Sequence, residues 1–274
     1  MWIRSLVAMV LGFSCLAAAV PDKSNYSLSN PTPAGLMREL TTDRPDVTEG
    51  PITVDAGHMQ LEMDLANYTT DVSSGVRSKA WGVVPFNLRL GLTNNMELGL
   101  FVSPYIRDTQ RAGRGISETR QGFGDITLRG KFNFWGNDDG STALGLITDL
   151  KLPTAAEGLG NGAVEGAVLL PLSVDLGVGW DLGAMTGLDF ARSEAGSRKS
   201  GWINSVTLGH DLTKILAGYV EFASETGISA PITTFDTGLT LKLGANTQID
   251  IGAQFGLSRA ANDAVVFTGL TRRY

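Results

Sequence analysis

Sulfur is almost missing from this chain. Its one cysteine among 274 residues is Cys15. That residue falls inside the opening stretch MWIRSLVAMVLGFSCLAAAV, which has Arg4 in a short leading region, an apolar run from Ser5 to Leu16 and small residues Ala17-Ala18-Ala19. The pattern reads as a secretory signal spanning residues 1–19. Cleavage there takes the thiol away and excludes disulfides and cysteine-ligated metal from the remainder. A lipoprotein leader acylated at Cys15 is the rival reading, and Phe13 is bulky where such sites carry a small residue.

Histidine is scarce as well. His58 and His210 without a thiol do not make a structural zinc site, so neither metal nor cofactor is expected. Basic clusters are missing from the sequence. Without Arg4, 21 lysines and arginines stand against 28 acids, a net charge of −7, which is a poor balance for nucleic acid. Beyond the leader there is no run of eighteen apolar residues, which excludes a membrane helix. It does not exclude a barrel, whose strands are apolar only at every second position.

What the chain does have is alternation. In GHMQLEMDL, Met59, Leu61, Met63 and Leu65 are separated by Gln60, Glu62 and Asp64, the period of a strand with one apolar and one polar face. Similar segments follow to the last residue. Phe86, Leu88 and Leu90 oppose Asn87 and Arg89; Met96, Leu98 and Leu100 oppose Glu97 and Gly99, with Phe101 out of phase. Leu128, Phe132 and Phe134 oppose Arg129, Lys131 and Asn133, and Leu144, Leu146 and Leu150 oppose Gly145 and Asp149. Twelve segments of ~10 residues are counted, each rising ~23 Å at a tilt near 45°, close to the apolar band of an outer-membrane barrel.

The connections agree. Polar stretches such as Thr70–Ser78, Arg107–Gln121 and Thr154–Ala163 alternate with short turns such as Thr93–Asn95 and Gly177–Gly179. That asymmetry suits long outer loops and short periplasmic turns. Trp81, Trp135, Trp180, Trp202, Tyr68, Tyr105, Phe190 and Tyr274 fall at segment ends, as interfacial girdles require. The expected fold is therefore all-β, a closed antiparallel transmembrane barrel of about twelve strands over residues 57–274 in a bacterial outer membrane, with outer-membrane lipid as its surroundings. Residues 20–56 carry Pro31, Pro33, Pro45 and Pro51 without sustained period and form a short periplasmic N-terminal segment.

Several stretches carry a family resemblance: TTDRPDVTEGPITVDAGHMQLEMDL (Thr41–Leu65), GFGDITLRGKF (Gly122–Phe132), KLPTA (Lys151–Ala155), LLPLSVDL (Leu169–Leu176), YVEF (Tyr219–Phe222) and GLTRRY (Gly269–Tyr274). Together they resemble the outer-membrane β-barrel transporter family associated with the meta-pathway of phenol degradation, and the Asp-Arg-Pro-Asp box is the most specific part. The resemblance implies passage of small organic solutes, often aromatic or hydrophobic. It also implies recognition of the C-terminal strand by the barrel-assembly machinery, although Arg272 stands where such strands often carry an aromatic.

The phase of the alternation nominates a lumen wall: Glu62, Asp64, Arg89, Arg129, Lys131, Asp149, Lys151, Glu221, Asp236 and Asp250. Charges of both signs can line a wet pore or seal it as an ion-pair network, and twelve strands enclose a narrow lumen in either case. An acidic excess in an open pore gives a mild cation preference. Asp43, Arg44 and Asp46 have two readings. One is a plug that enters the periplasmic mouth, with Arg44 on a lumen acid such as Glu62 or Glu221; the other is a surface turn, which Pro45 and Asp46 favour. Enzymatic chemistry is not expected. A lipid hydrolase built on His210 with Ser205 or Ser173 is the alternative, but no spacing sets a serine beside that histidine with an orienting group. A structural or adhesion barrel with a sealed lumen is the third reading.

Overall fold

The structure is a computed structural model that describes residues 21–73, 75–112, 116–193 and 195–274. The expected signal, with Cys15, lies outside the described residues. The strands are β1 (Met59–Ser73), β2 (Val76–Val83), β3 (Phe86–Thr93), β4 (Met96–Val102), β5 (Tyr105–Ala112), β6 (Ile116–Gly122), β7 (Ile126–Trp135), β8 (Thr142–Leu152), β9 (Glu165–Gly177), β10 (Trp180–Arg192), β11 (Arg198–Asp211), β12 (Leu216–Thr226), β13 (Ile232–Lys242), β14 (Thr247–Gly256) and β15 (Ala264–Arg273). They form one antiparallel sheet, closed by β15 on β1 from Gln60↔Arg273 to Thr70↔Ala264. Closure leaves no unpaired edge inside the hydrocarbon.

Fifteen strands make twelve barrel staves because three staves are broken. The lower half of β1 pairs with β3 and its upper half with β2, so β2 and β3 are one stave interrupted at Val84-Pro85. Val84 has φ 55°, and Pro85 has no N–H to give to the ladder. The next stave is β5 with β4, broken at Ser103-Pro104, and the third is β6 with β7. The three breaks lie side by side in the sheet. Above them β2, β5, β6 and the top of β1 rise as an extension beyond the rim, where β6 pairs only with β5 among the described residues.

This corrects the expectation of long loops at Thr70–Ser78 and Arg107–Gln121, which are largely paired strand. The physical reason is that both faces of the extension stand above the hydrocarbon. Neither needs to be apolar, so no hydrophobic period marks these strands.

Within the membrane band the apolar face points outward, with Leu98, Leu128, Phe222 and Ile251 about half exposed. Trp81, Tyr105, Phe190 and Trp202 ring one end of the staves, and Trp135, Trp180 and Tyr274 ring the other. The lumen face holds the buried polar groups, among them Gln60, Glu62, Arg89, Glu97, Lys131, Glu221 and Asp250. One apolar cluster also faces inward, Ile147, Leu169 and Met185 with Ile203.

Candidate functional site

The N-terminal segment sits at the short-turn end of the barrel and enters the lumen. Its outer part is clamped to the turns. Arg38 donates to Thr53 O at 2.7 Å, Asn94 O at 2.7 Å and Asp138 Oδ1 at 3.0 Å. Asp55, fully buried, receives Lys23 at 3.3 Å and lies 3.7 Å from Arg273. His58 bridges Thr32 O at 2.7 Å and Tyr274 O at 3.1 Å, tying segment, β1 and C-terminus together.

From this base residues 41–53 pass up into the barrel and back. Asp43 reaches one wall, where Lys131 Nζ donates to it at 2.6 Å and Arg89 lies at 3.2 Å. Arg89 in turn holds Glu62 at 2.7 Å and Glu97 at 2.8 Å. Arg44 turns toward β1 and β14 and forms ion pairs with Asp64 and with Asp250, the latter at 2.8 Å. Adjacent residues thus carry opposite charges to different staves, each to its complement. Further along, the Val47 and Thr48 N–H groups donate to Glu221 at 2.8 and 2.7 Å, and Thr48 Oγ1 reaches Ser205 at 2.8 Å. Glu49 lies 2.5 Å from Arg129, whose fork also takes Asp149 at 2.7 Å while its plane covers Phe101 at 4.5 Å. That contact accounts for Phe101 being out of phase, since the ring is a lumen residue that stacks on a guanidinium.

The local electrostatics follow from burial. Burial alone would raise the Asp43 carboxyl, but Arg89, Lys131 and Arg129 outweigh it and hold it at about 2. Asp46 has no such cation. Burial, and then the neighbouring Glu221, push it well above the carboxylate range. Burial raises Glu49 to about 7, because Arg129 is shared with Asp149 and the Asp43 charge opposes ionisation.

Glycines on the lumen face make the approach possible. A Cβ at Gly269 would lie 2.2 Å from the Arg44 guanidinium, and one at Gly91 would lie 2.2 Å from Asp55 O. Two cavities remain beside the inserted residues. One of about 310 Å³ faces β9–β14 and is bordered by Ser173, Thr207, Tyr219 and Gln248. The other, about 240 Å³, faces β3 and β4 and is bordered by Asn87 and Phe101. The Tyr219 hydroxyl and the Asn87 amide have no protein partner among the described residues.

Residues 42–274 match the family described as "Putative MetA-pathway of phenol degradation". The chain belongs to that family. A solved structure of similar fold is the COG4313 outer membrane channel from Pseudomonas putida F1, 13% identical, covering 85% of this chain and 100% of that one with a TM-score of 0.58. The NanC porin is 9% identical, covers 78% of this chain and 98% of its own, and has a TM-score of 0.50. No curated protein matches the chain. Family and fold place this member in the bacterial outer membrane as a twelve-stranded barrel of the channel type.

Of the ten wall residues nominated from sequence, Glu62, Asp64, Arg89, Arg129, Lys131, Asp149, Glu221 and Asp250 gather around residues 43–49 of this family member. Asp236 stands opposite Glu221 in the ladder and accepts from Gln254 at 3.2 Å. Lys151 is apart, near the outer rim, paired with Glu165 at 2.6 Å and Asp125 at 3.1 Å. The expectation that Arg44 meets Glu62 or Glu221 is corrected. Glu62 is already held by Arg89 and by Gln60 at 2.8 Å, and Glu221 by two backbone N–H groups, so Arg44 takes the acids left over.

Sequence reasoning missed Glu49, Thr48 and the inward cluster of Ile147, Leu169 and Met185. The glycines on the polar side of the alternation, Gly91 and Gly145, were a usable signal that something packs close to that wall. His210 stacks on Trp180 at 4.1 Å and gives Nδ1 to Gly179 O. Ser173 and Ser205 lie on the lumen face and His210 on the opposite parity of β11, so no serine–histidine pair forms.

Proposed function

We propose that the protein is a passive channel for small organic solutes whose lumen is held shut, or tightly constricted, by residues 20–56 acting as a plug. The observation that carries this reading is that residues 43–49 meet staves all round the lumen: Asp43 is neutralised by Arg89 and Lys131 of β3 and β7, Arg44 by Asp64 and Asp250 of β1 and β14, Thr48 is held by Glu221 and Ser205 of β12 and β11, and Glu49 by Arg129 of β7. A surface turn has no use for wall partners all round, whereas a removable stopper does. The contacts are ionic and backbone in kind, which water can replace when the segment withdraws.

The solute class rests on family membership and on the lining. Ile147, Leu169 and Met185 face inward, and Phe101 and Tyr219 border the cavities next to unpaired polar groups. An interior with apolar and aromatic patches beside a few polar groups suits small aromatic or hydrophobic compounds that carry one polar substituent. Transit is diffusive, and assembly into the membrane uses the C-terminal strand β15.

The test is single-channel conductance of the refolded protein in a planar bilayer, with and without residues 20–55. Larger or more frequent steps after deletion support the plug. Equal steps from both forms, each shown folded by heat-modifiable migration, contradict it. Silence from both moves the search to the sealed, structural barrel.

A further inference from the structure

The lipid-facing side of the extension carries charges that the lumen chemistry does not use. The register puts Trp81 opposite Tyr68 and Arg107, Lys79 opposite Thr70 and Thr109, and Arg77 opposite Val72 and Arg111. Side chains opposite one another share a face. Trp81 and Tyr68 stack at 4.4 Å in the outer aromatic girdle, so this face is the outward one. Arg107 therefore stands level with the girdle, with Lys79, Arg77 and Arg111 just above it, all four exposed. At ~3.3 Å per residue and a tilt near 45°, Lys79 rises ~5 Å and Arg77 ~9 Å above Trp81, the depth of lipid headgroups.

Three observations set this cluster apart. Arg77 and Arg111 are directly opposed across β2 and β5, an arrangement that costs stability unless an anion lies between the two charges. None of the four cations has an ion-pair partner among the described residues, and Asp263 at the margin accepts from the Val72 N–H at 3.0 Å. The lumen side of the same strands is balanced instead, with Arg120 on Glu118 at 2.8 Å and Gln110 on Asp108 at 3.2 Å. A cleft of about 510 Å³ opens on the outward face between Arg77, Lys79, Arg111, Thr109 and Ser117. In a chain of net charge −6, this is a concentrated cationic surface on the one face that meets lipid headgroups.

We propose that the outward face of the β1–β2–β5–β6 extension binds the phosphorylated headgroup of a glycolipid in the outer leaflet, with Arg77 and Arg111 on one phosphate and Lys79 and Arg107 nearer the acyl chains. Arginine forks suit phosphate oxygens, and the Thr109 and Ser117 hydroxyls can donate to the sugar. Such a site anchors the extension and fixes the height of the barrel in the membrane.

The test is binding to the protein purified from outer membranes in a neutral detergent, read as thermal stabilisation against added lipid A, dephosphorylated lipid A or inorganic phosphate. Lipid A should stabilise the parent protein. Arg77→Gln/Arg111→Gln should weaken the apparent affinity about 25-fold, or about fivefold for each basic residue near an anionic surface. Arg120→Gln, on the lumen side, should bind as the parent does. Without lipid the double variant should be at least as stable as the parent, because a like-charge pair is gone. The proposal is overturned if dephosphorylated lipid A or inorganic phosphate at equal phosphate concentration stabilises as well as lipid A. Undiminished binding by the double variant, or its failure to fold in neutral detergent, overturns it too.

Discussion

Replacing Arg44 with alanine is the sharpest perturbation of the proposed plug. It leaves the Asp250 carboxylate, whose side chain is fully buried, and Asp64, 15% exposed, without their cation. Breaking a buried pair by removing one partner costs about 3–5 kcal/mol. The Arg44 side chain is itself 18% exposed and borders the wider cavity, so water can enter and the lower part of that range, ~3 kcal/mol, is the fair expectation. Nearly all of it falls on the docked state, since both acids hydrate once the segment leaves. At about 1.4 kcal/mol per tenfold, the docking equilibrium shifts about a hundredfold toward withdrawal.

Bilayer recordings of Arg44→Ala should therefore show open events far more often than the parent, with the unit conductance of the form lacking residues 20–55. Adding Asp250→Asn to Arg44→Ala should return part of the closed time, because the stranded carboxylate is gone. Arg44→Ala traces indistinguishable from the parent, with no coupling to Asp250, would refute the reasoning.

Gly91→Val forces the backbone of residues 54–55 away from the wall, where a Cβ would lie 2.2 Å from Asp55 O; it should make residues 21–56 sensitive to protease while the barrel still migrates as folded. The docked state should weaken as pH rises: Glu49 is held at about 7 when docked and titrates near the ordinary carboxylate range when free. A raised acid contributes docking stability fully below the free value and loses it as pH climbs through the docked one. Asp46, raised by burial and Glu221, acts in the same direction, whereas Asp43, at about 2, stays ionised and constant above pH 5. Open probability should thus increase from pH 5 to pH 8, with Arg129 and Asp43 charged throughout, and Glu49→Gln should flatten the profile; a profile of opposite slope refutes it. Phe222→Arg sets a charge mid-strand on the lipid face, where Phe222 is 53% exposed, and should cost about 2–4 kcal/mol in urea-driven unfolding. A cost near zero would mean that this face does not meet hydrocarbon.

Alternation made the barrel legible. Met59 to Leu65 against Gln60 to Asp64 is a local pattern set by the strand's own geometry, and it assigns lipid and lumen faces without any knowledge of neighbours. The wall residues followed from that phase alone. The extension was illegible because neither of its faces is buried in hydrocarbon, and the inward Ile147, Leu169 and Met185 because apolar residues on both faces erase the period.

The sequence by itself determined the number of staves, their inward and outward sides, the girdles and the presence of an Asp-Arg-Pro-Asp segment next to the first strand. Tertiary structure alone decided what that segment meets. Asp250 is 206 residues from Arg44 and Glu221 is 173 from Thr48, and only barrel closure and sheet register bring such residues within hydrogen-bond range. The same holds for the cationic face. Arg77 and Arg111 are 34 positions apart in a chain with no basic run, and they become neighbours only because β2 and β5 pair above the rim.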